Sequence, residues 1–254
     1  MTVHEQLTET KFGMGAALPI PGYQVERKIA EGGTAEVFEG REALGSRKVA
    51  IKVLHSRLLN SKPEYKRLVT EGEIGCKLAP HPNVVETIGF GKASQRPFVV
   101  LELLPGQTLR EVLRERNQLT EREIFKLARA VGTGLKFLHD QKIFHKDVKP
   151  ENVMLDGQGM IKIIDLGFGE CQAGLNFNFL GRRLDGSPSY MAPEYIRSKK
   201  PSAATDLYAL GCMLYEAAAG RTPLMGASDK EVLGKQLNMG IRPAPIGELN
   251  KSLS

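Results

Sequence analysis

His145-Lys146-Asp147-Val148-Lys149-Pro150-Glu151-Asn152, followed shortly by Asp165-Leu166-Gly167, is the stretch that decides how this chain is read. It puts a carboxylate, an ammonium and a carboxamide on one short loop, with a second carboxylate a hairpin away. Phosphoryl transfer from a magnesium nucleotide needs this inventory. One acid orients the acceptor hydroxyl, a cation neutralises developing charge, and an amide and an acid hold metal. His and Asp share many turns, so the pair alone carries little. The full spacing, followed by an apolar run and a second acid, carries much more.

The 254 residues suffice for one large domain or two lobes around a cleft. Hydrophobic content of 41% and charged content of 25% are those of a globular protein. Net charge is +6 and the pI near 9.2. The cations are scattered, which argues for a solvated surface and against a nucleic-acid tract. Cys76, Cys171 and Cys212 lack metal-ligand spacing and are expected as free thiols in a reducing compartment. No apolar run is long enough to cross a bilayer, and no signal-peptide core opens the sequence. A cytoplasmic protein, or the cytoplasmic part of a longer one, is expected.

Residues 1–20 are polar, then Gly- and Ala-containing, and read as a weakly ordered leader with little to bury. From Tyr23 to Val53 short apolar runs alternate with the turn signals Gly32-Gly33 and Gly45-Ser46, which predicts a three-strand meander. Residues 62–78 read as a helix opened by Pro63-Glu64. Strands are expected at Val84 to Phe90 and Phe98 to Leu103, and Pro105-Gly106 ends the sheet. Helical spacing follows in Leu109, Val112 and Leu113, then from Ile124 to His139. An apolar helix from Leu207 to Ala219 ends at Gly220, a natural cap. The fold class is therefore α+β: an antiparallel lobe over residues 21–103 and a mostly helical lobe over 104–254.

These motifs together resemble the eukaryotic-type Ser/Thr protein kinases, in their bacterial style, from about Tyr23 onward. The resemblance implies transfer of the γ-phosphoryl of ATP, with Mg²⁺, to Ser or Thr hydroxyls of a protein substrate. In it, Ala30-Glu31-Gly32-Gly33-Thr34-Ala35 stands at the glycine-rich phosphate lid, where bare backbone N–H groups approach phosphates closely. Two of the family's three glycines are replaced, by Ala30 and Ala35, so a stiffer lid is expected. Val37 would cover the adenine. Val49-Ala50-Ile51-Lys52 matches the strand whose lysine touches the phosphates. Its carboxylate partner is Glu71, with Glu73 as the competing choice. Glu102 and Leu104 would offer backbone groups to the adenine edge, with Leu101 as gatekeeper and Met154 beneath the base. Asp147 is the candidate base and Lys149 the cation beside the transferring group. Asn152 and Asp165 are the candidate metal ligands. Ser187, in Gly186-Ser187-Pro188-Ser189-Tyr190-Met191-Ala192-Pro193-Glu194, marks the substrate-docking segment and Ser/Thr specificity. Asp206 either holds the catalytic loop's backbone or caps its helix, and the two roles are compatible.

Departures from the pattern carry expectations of their own. Lys146 replaces an arginine that grips a phosphorylated loop, and a point charge lacks the bidentate fork. Phe168 to Asp185 contains no Ser, Thr or Tyr. Gly75 and Thr87 stand where bulkier apolar residues usually stack behind the metal motif beside His145 and Leu166, so a thinner stack is expected. The sequence stops at Ser254, where the family's last helices should begin. A fragment, missing regions and a regulatory partner are accordingly expected, and Glu194 is expected to lack its arginine. Two alternatives are a pseudokinase acting as a nucleotide-binding or interaction module, and a small-molecule kinase. Lys52, Asp147, Asn152 and Asp165 oppose the first, and the Ser187 to Glu194 segment the second.

Overall fold

Alternating apolar residues build β1 (Tyr23–Glu31), β2 (Ala35–Glu42) and β3 (Lys48–Leu54) as an antiparallel meander in a computed structural model describing residues 19–166, 170–171 and 186–253. Nearly all of the leader, Gly167 and the stretch from Phe168 to Asp185, save the backbone at 170–171, lie outside the described residues. α1 (Lys62–Gly75) follows with Pro63 in its first turn. β4 (Thr87–Ala93) and β5 (Arg96–Glu102) complete a sheet of order β1-β2-β3-β5-β4. β3 lies at its centre, and its register sets Lys52 opposite Val37 on one side and Val99 on the other. Val49, Ile51, Val53, Phe98 and Val100 pack one face, with Ile20 against them. Leu68 of α1 covers the other, on Leu54 and Val99.

The β4–β5 hairpin is displaced along the sequence from the expected strands. Its turn runs through Ser94 and Gln95, both left-handed at φ 47° and 70°, the conformation tight hairpins require. That turn fixes the ladder on Thr87–Ala93. Val84 and Val85 are drawn off to Ile163, to which Val85 donates at 2.9 Å.

After the sheet come β6 (Gln107–Thr108), α2 (Leu109–Arg116) and α3 (Glu121–Asp140). α2 and α3 each open on a capping box, Thr108 with Glu111 and Thr120 with Glu123, which starts α3 before Ile124. The short strands β7 (Ile143–Phe144), β8 (Val153–Leu155), β9 (Ile161–Ile163) and β10 (Glu170–Cys171), paired β7 with β10 and β8 with β9, flank the two acidic motifs. α4 (Pro193–Ser198), α5 (Ala203–Ala219), α6 (Asp229–Leu237) and α7 (Ile246–Leu249) follow. α5 begins ahead of Leu207 because Ser202 caps it reciprocally with Thr205, and it ends on left-handed Gly220 as expected. Leu109, Leu127, Val131 and Leu135 bury themselves against Met213 and Ala217 of α5. No helix among the described residues is long and apolar enough to cross a membrane.

Gly106 turns the chain between sheet and helices. Its φ is +104°, and a Cβ there would lie 2.0 Å from the Leu155 carbonyl oxygen. Both the backbone angle and the close approach exclude a side chain. Gly106→Ala is expected to lower unfolding stability by about 1–3 kcal/mol or more, measured by urea titration; an unchanged midpoint would refute this account of the junction.

Candidate active site

The loop after β7 is fastened by a carboxylate from a distant helix. Asp206, fully buried in the first turn of α5, accepts hydrogen bonds from the backbone N–H of His145 (2.9 Å) and Lys146 (2.8 Å). The same carboxylate lies 2.8 Å from His139 Nε2 on α3. This corrects one of the two roles read for Asp206: Ser202, not Asp206, caps the helix. The clamp holds Lys146 at φ 69°, a left-handed angle costly for a side-chain-bearing residue.

Just past that strained residue, the buried Asp147 carboxylate collects three partners. Lys149 Nζ sits 2.6 Å from Oδ2, and Asn152 Nδ2 donates to Oδ2 at 3.2 Å and to the Asp147 carbonyl at 2.8 Å. Ser187 donates to Oδ1 from its N–H (3.0 Å) and its hydroxyl (3.1 Å). Lys149 also donates to Ser187 Oγ at 2.9 Å, so that hydroxyl bridges the acid and the ammonium. The Ser187 segment is anchored in turn by Tyr190, whose ring is buried and whose OH lies between Arg110 and Glu216. Arg110 further pairs with Glu151 at 2.7 Å. Sequence reading missed this Arg110–Glu216 brace, because no local spacing joins α2 to α5.

Across the cleft, Lys52 donates to both oxygens of Glu71, at 3.0 and 2.8 Å, and to Asp165 Oδ1 at 2.8 Å. Of the two carboxylates weighed on α1, the structure pairs Glu71 with the lysine. Burial works against the charge on Lys52, but Asp165 and Glu71 outweigh it and hold its pKa above the ordinary lysine range. Burial lifts Glu71 above the usual carboxylate range, with Asp165 adding to the rise and Lys52 opposing it. Thr34, Ala35, Lys52, Glu71 and Asp165 line one small cavity.

Asp165 itself is left-handed, at φ 66°. The residue before it, Ile164, donates to the Asn152 carbonyl at 2.9 Å, which ties the two candidate metal ligands together. The Asn152 amide nitrogen is spent on Asp147, which leaves its oxygen as the group to face a ligand. An amide oxygen and a carboxylate are hard donors and fit Mg²⁺. Leu166 is buried with Ile74, Val84, Leu138 and Ile143. The thinner stack expected behind it is not hollow at Gly75: a Cβ there would lie 2.0 Å from Thr87 Oγ1, so the threonine fills that space. Thr87 Oγ1 and His145 Nε2 are buried without hydrogen-bond partners among the described residues.

The remaining expected nucleotide contacts sit on the sheet edge of the cleft and on β8. Val37 and Ala50 lie on neighbouring strands, Glu102 ends β5 with Leu104 just past it, and Met154 pairs with Thr108 and Lys162. The Glu102 side chain is occupied, accepting from Glu86 N–H at 2.8 Å and pairing with Lys162. Ala30 and Glu31 end β1 and Ala35 opens β2, with Gly32 to Thr34 as the turn between them, where Gly32 N–H donates to the Ala35 carbonyl at 2.9 Å. His55 and Arg57, which belong to no motif, reach this turn and were not foreseen. Glu194 is exposed. Cys76 and Cys212 are free thiols, as expected; the Cys171 side chain lies outside the described residues.

A strand lysine paired to a helix carboxylate thus faces a clamped acid–amide loop across a sheet-to-helix junction. Residues 23–250 match the protein kinase domain family, and the chain belongs to it. It is 32% identical over 232 residues to the serine/threonine-protein kinase PknL of Mycobacterium tuberculosis, covering 91% of this chain and 58% of that protein. It is 30% identical over 215 residues to the serine/threonine-protein kinase PrkC of Bacillus subtilis, covering 85% of this chain and 33% of that protein. The probable serine/threonine-protein kinase PknB of Lactococcus lactis is also 30% identical, over 207 residues, with 81% and 33% covered. The chain thus spans little more than half of PknL and a third of the other two.

Lys52→Met tests the charge balance around Glu71. A carboxyl whose folded pKa is raised binds its proton more tightly folded than unfolded, so stability falls as pH rises through that range. Removing Lys52 takes away the pull that opposes the rise. The variant is expected to melt lower at about pH 8 than at about pH 6, by a wider margin than the wild type. Equal margins in thermal melts would show that Glu71 does not depend on Lys52.

Proposed function

We propose that this chain transfers the γ-phosphoryl of ATP to Ser or Thr hydroxyls of a protein substrate. The observation that carries this reading is the seating of a serine hydroxyl, that of Ser187, between Asp147 Oδ1 and Lys149 Nζ. A carboxylate and an ammonium that already hold one alcohol in this way can orient another. In the proposed step the substrate hydroxyl oxygen attacks the γ-phosphorus, its proton passes to Asp147, and the bond to the β–γ bridging oxygen breaks to release ADP. Lys149 balances the charge gathering on the transferred group. Lys52, fixed by Glu71, holds the nucleotide's phosphates. Mg²⁺, held by Asn152 and Asp165, would neutralise charge on those phosphates. Ala30, Glu31, Gly32, Gly33, Thr34 and Ala35 close over them, while Val37, Ala50, Met154 and the backbone at Glu102 and Leu104 frame the adenine.

Residues 21–103 act in this reading as the nucleotide-holding lobe and 104–254 as the substrate-holding lobe, working in the cytoplasm where ATP is supplied. The relatives named serine/threonine-protein kinases and the Lys149–Ser187 contact both support Ser/Thr specificity.

Transfer of labelled phosphate from ATP to a generic basic protein tests the reading. Asp147→Ala and Asp165→Asn are each expected to cut transfer by about 10²-fold or more, and undiminished transfer in either would remove the assignment. A second expectation concerns control. With no hydroxyl residue from Phe168 to Asp185 and lysine at position 146, activity should survive phosphatase treatment. A large loss on dephosphorylation, mapped by mass spectrometry to 168–189, would overturn this.

A further inference from the structure

The turn over the proposed phosphate site is solvent-exposed from Gly32 to Thr34, yet its carbonyls are all engaged. The Gly32 carbonyl accepts from His55 Nε2 at 2.8 Å, the Gly33 carbonyl from Arg57 Nη2 at 2.8 Å, and the Thr34 carbonyl from His55 N–H at 3.0 Å. Consecutive carbonyls of an exposed turn ordinarily face water. Here they face one short segment, the link from β3 to α1.

That segment is itself anchored. His55 is 7% exposed, and its carbonyl accepts from Leu58 N–H at 2.9 Å in a helical turn. The preceding Leu54 carbonyl accepts from Arg96 Nε at 2.7 Å, and the same guanidinium donates to Glu36 Oε2 at 2.7 Å, next to the lid on β2. Lys52, three residues before His55 and near the end of β3, carries the contacts to Glu71 and Asp165. The lid's position is thereby referred to the strand that bears the phosphate-facing lysine.

A carbonyl can only accept, so His55 Nε2 must carry the proton in this contact. Neutral and charged imidazole can both donate from that atom. Glu31 Oε1, at 4.0 Å from Nε2, and Glu36 Oε2, at 3.9 Å from Nδ1, face the ring as well. The contact therefore needs no particular charge on His55.

We propose that His55 and Arg57 are positioning residues for nucleotide phosphates, forming a clasp that holds the lid by its carbonyls. In a trans peptide the N–H points opposite the C=O. Fixing the carbonyls of Gly32, Gly33 and Thr34 turns the N–H groups of Gly33, Thr34 and Ala35 to the other side, where an anion can be met without first ordering the loop. The clasp takes over part of what glycines cannot do in this lid, since Ala30 and Ala35 restrict its backbone.

This inference rests on the nucleotide reading of the site, and binding measurements separate it from catalysis. ADP, ATP and adenosine are titrated into wild type, His55→Leu, His55→Gln and Arg57→Met by calorimetry. The His55→Leu and Arg57→Met variants are each expected to bind ADP and ATP about three- to tenfold more weakly, the effect of one ordinary hydrogen bond lost. Adenosine, which has no phosphate, should bind as in wild type. His55→Gln, whose amide can donate from a similar position, should recover most of the loss. Unchanged ADP affinity in both loss variants, or an equal weakening of adenosine, overturns the clasp. Arg57 is exposed, so its variant reports even if His55→Leu does not fold. A wild type that binds ADP and shows the expected pattern but transfers no phosphate supports the clasp and refutes the transferase. A wild type that binds no nucleotide overturns both.

Discussion

The buried carboxylate of Asp206 is the constraint on which the arrangement of the site depends. It accepts from two consecutive backbone N–H groups, those of His145 and Lys146, and thereby stabilises a left-handed turn that Lys146 would not adopt freely. Each buried N–H left without an acceptor would cost about 1–3 kcal/mol. The strain at Lys146 is of comparable size and is offset by the pair of contacts. Its effect is to aim Asp147 at Lys149, Asn152 and Ser187. A helix that otherwise packs the core of the second lobe therefore sets the direction of the proposed base.

A second constraint is electrostatic. Lys52 carries one positive charge, and Glu71 and Asp165 together carry two negative ones, so this trio retains net negative charge when all are ionised. Burial lifts the pKa of Glu71, with Lys52 opposing the rise and the Asp165 charge adding to it. A hard divalent cation at Asp165 and Asn152 would offset the trio's net negative charge. Asp165 is thus shared between the lysine and the proposed metal position, and its left-handed backbone presents it to both.

The sheet meander, the helix boundaries to within a few residues and the acidic motifs were legible because their signals are local. Alternation marks β1 to β3, and helical spacing marks α3 and α5. Where reading erred, a nearby competitor decided the matter. Capping boxes moved helix starts ahead of the first apolar residue, and the left-handed Ser94–Gln95 turn slid the β4–β5 ladder. Spacing to Leu78 and His81 favours Glu71 over Glu73, and Glu71 is the α1 carboxylate that contacts Lys52. Arg110, Glu216, His139 and Lys162 were invisible for the converse reason. Each is an ordinary charged or polar residue whose partner lies far along the chain, and only the packing of helices brings the partners together.

The lid shows how a departure from a motif can be absorbed elsewhere. Glycines allow a phosphate-binding turn to reach unusual backbone angles, at the cost of freedom that binding must remove. Replacing two of them with Ala30 and Ala35 lowers that freedom in advance. A stiffer turn is useful only if it is stiff in the right orientation, because a misdirected backbone can no longer adjust. His55 and Arg57 supply direction by engaging the carbonyls that a flexible lid would leave to water. The alanines and the clasp are therefore parts of one solution: backbone entropy is surrendered in the sequence, and orientation is recovered from the end of β3. In such a lid the glycine count alone is a poor guide to phosphate affinity, because backbone direction is set by contacts that lie outside the motif.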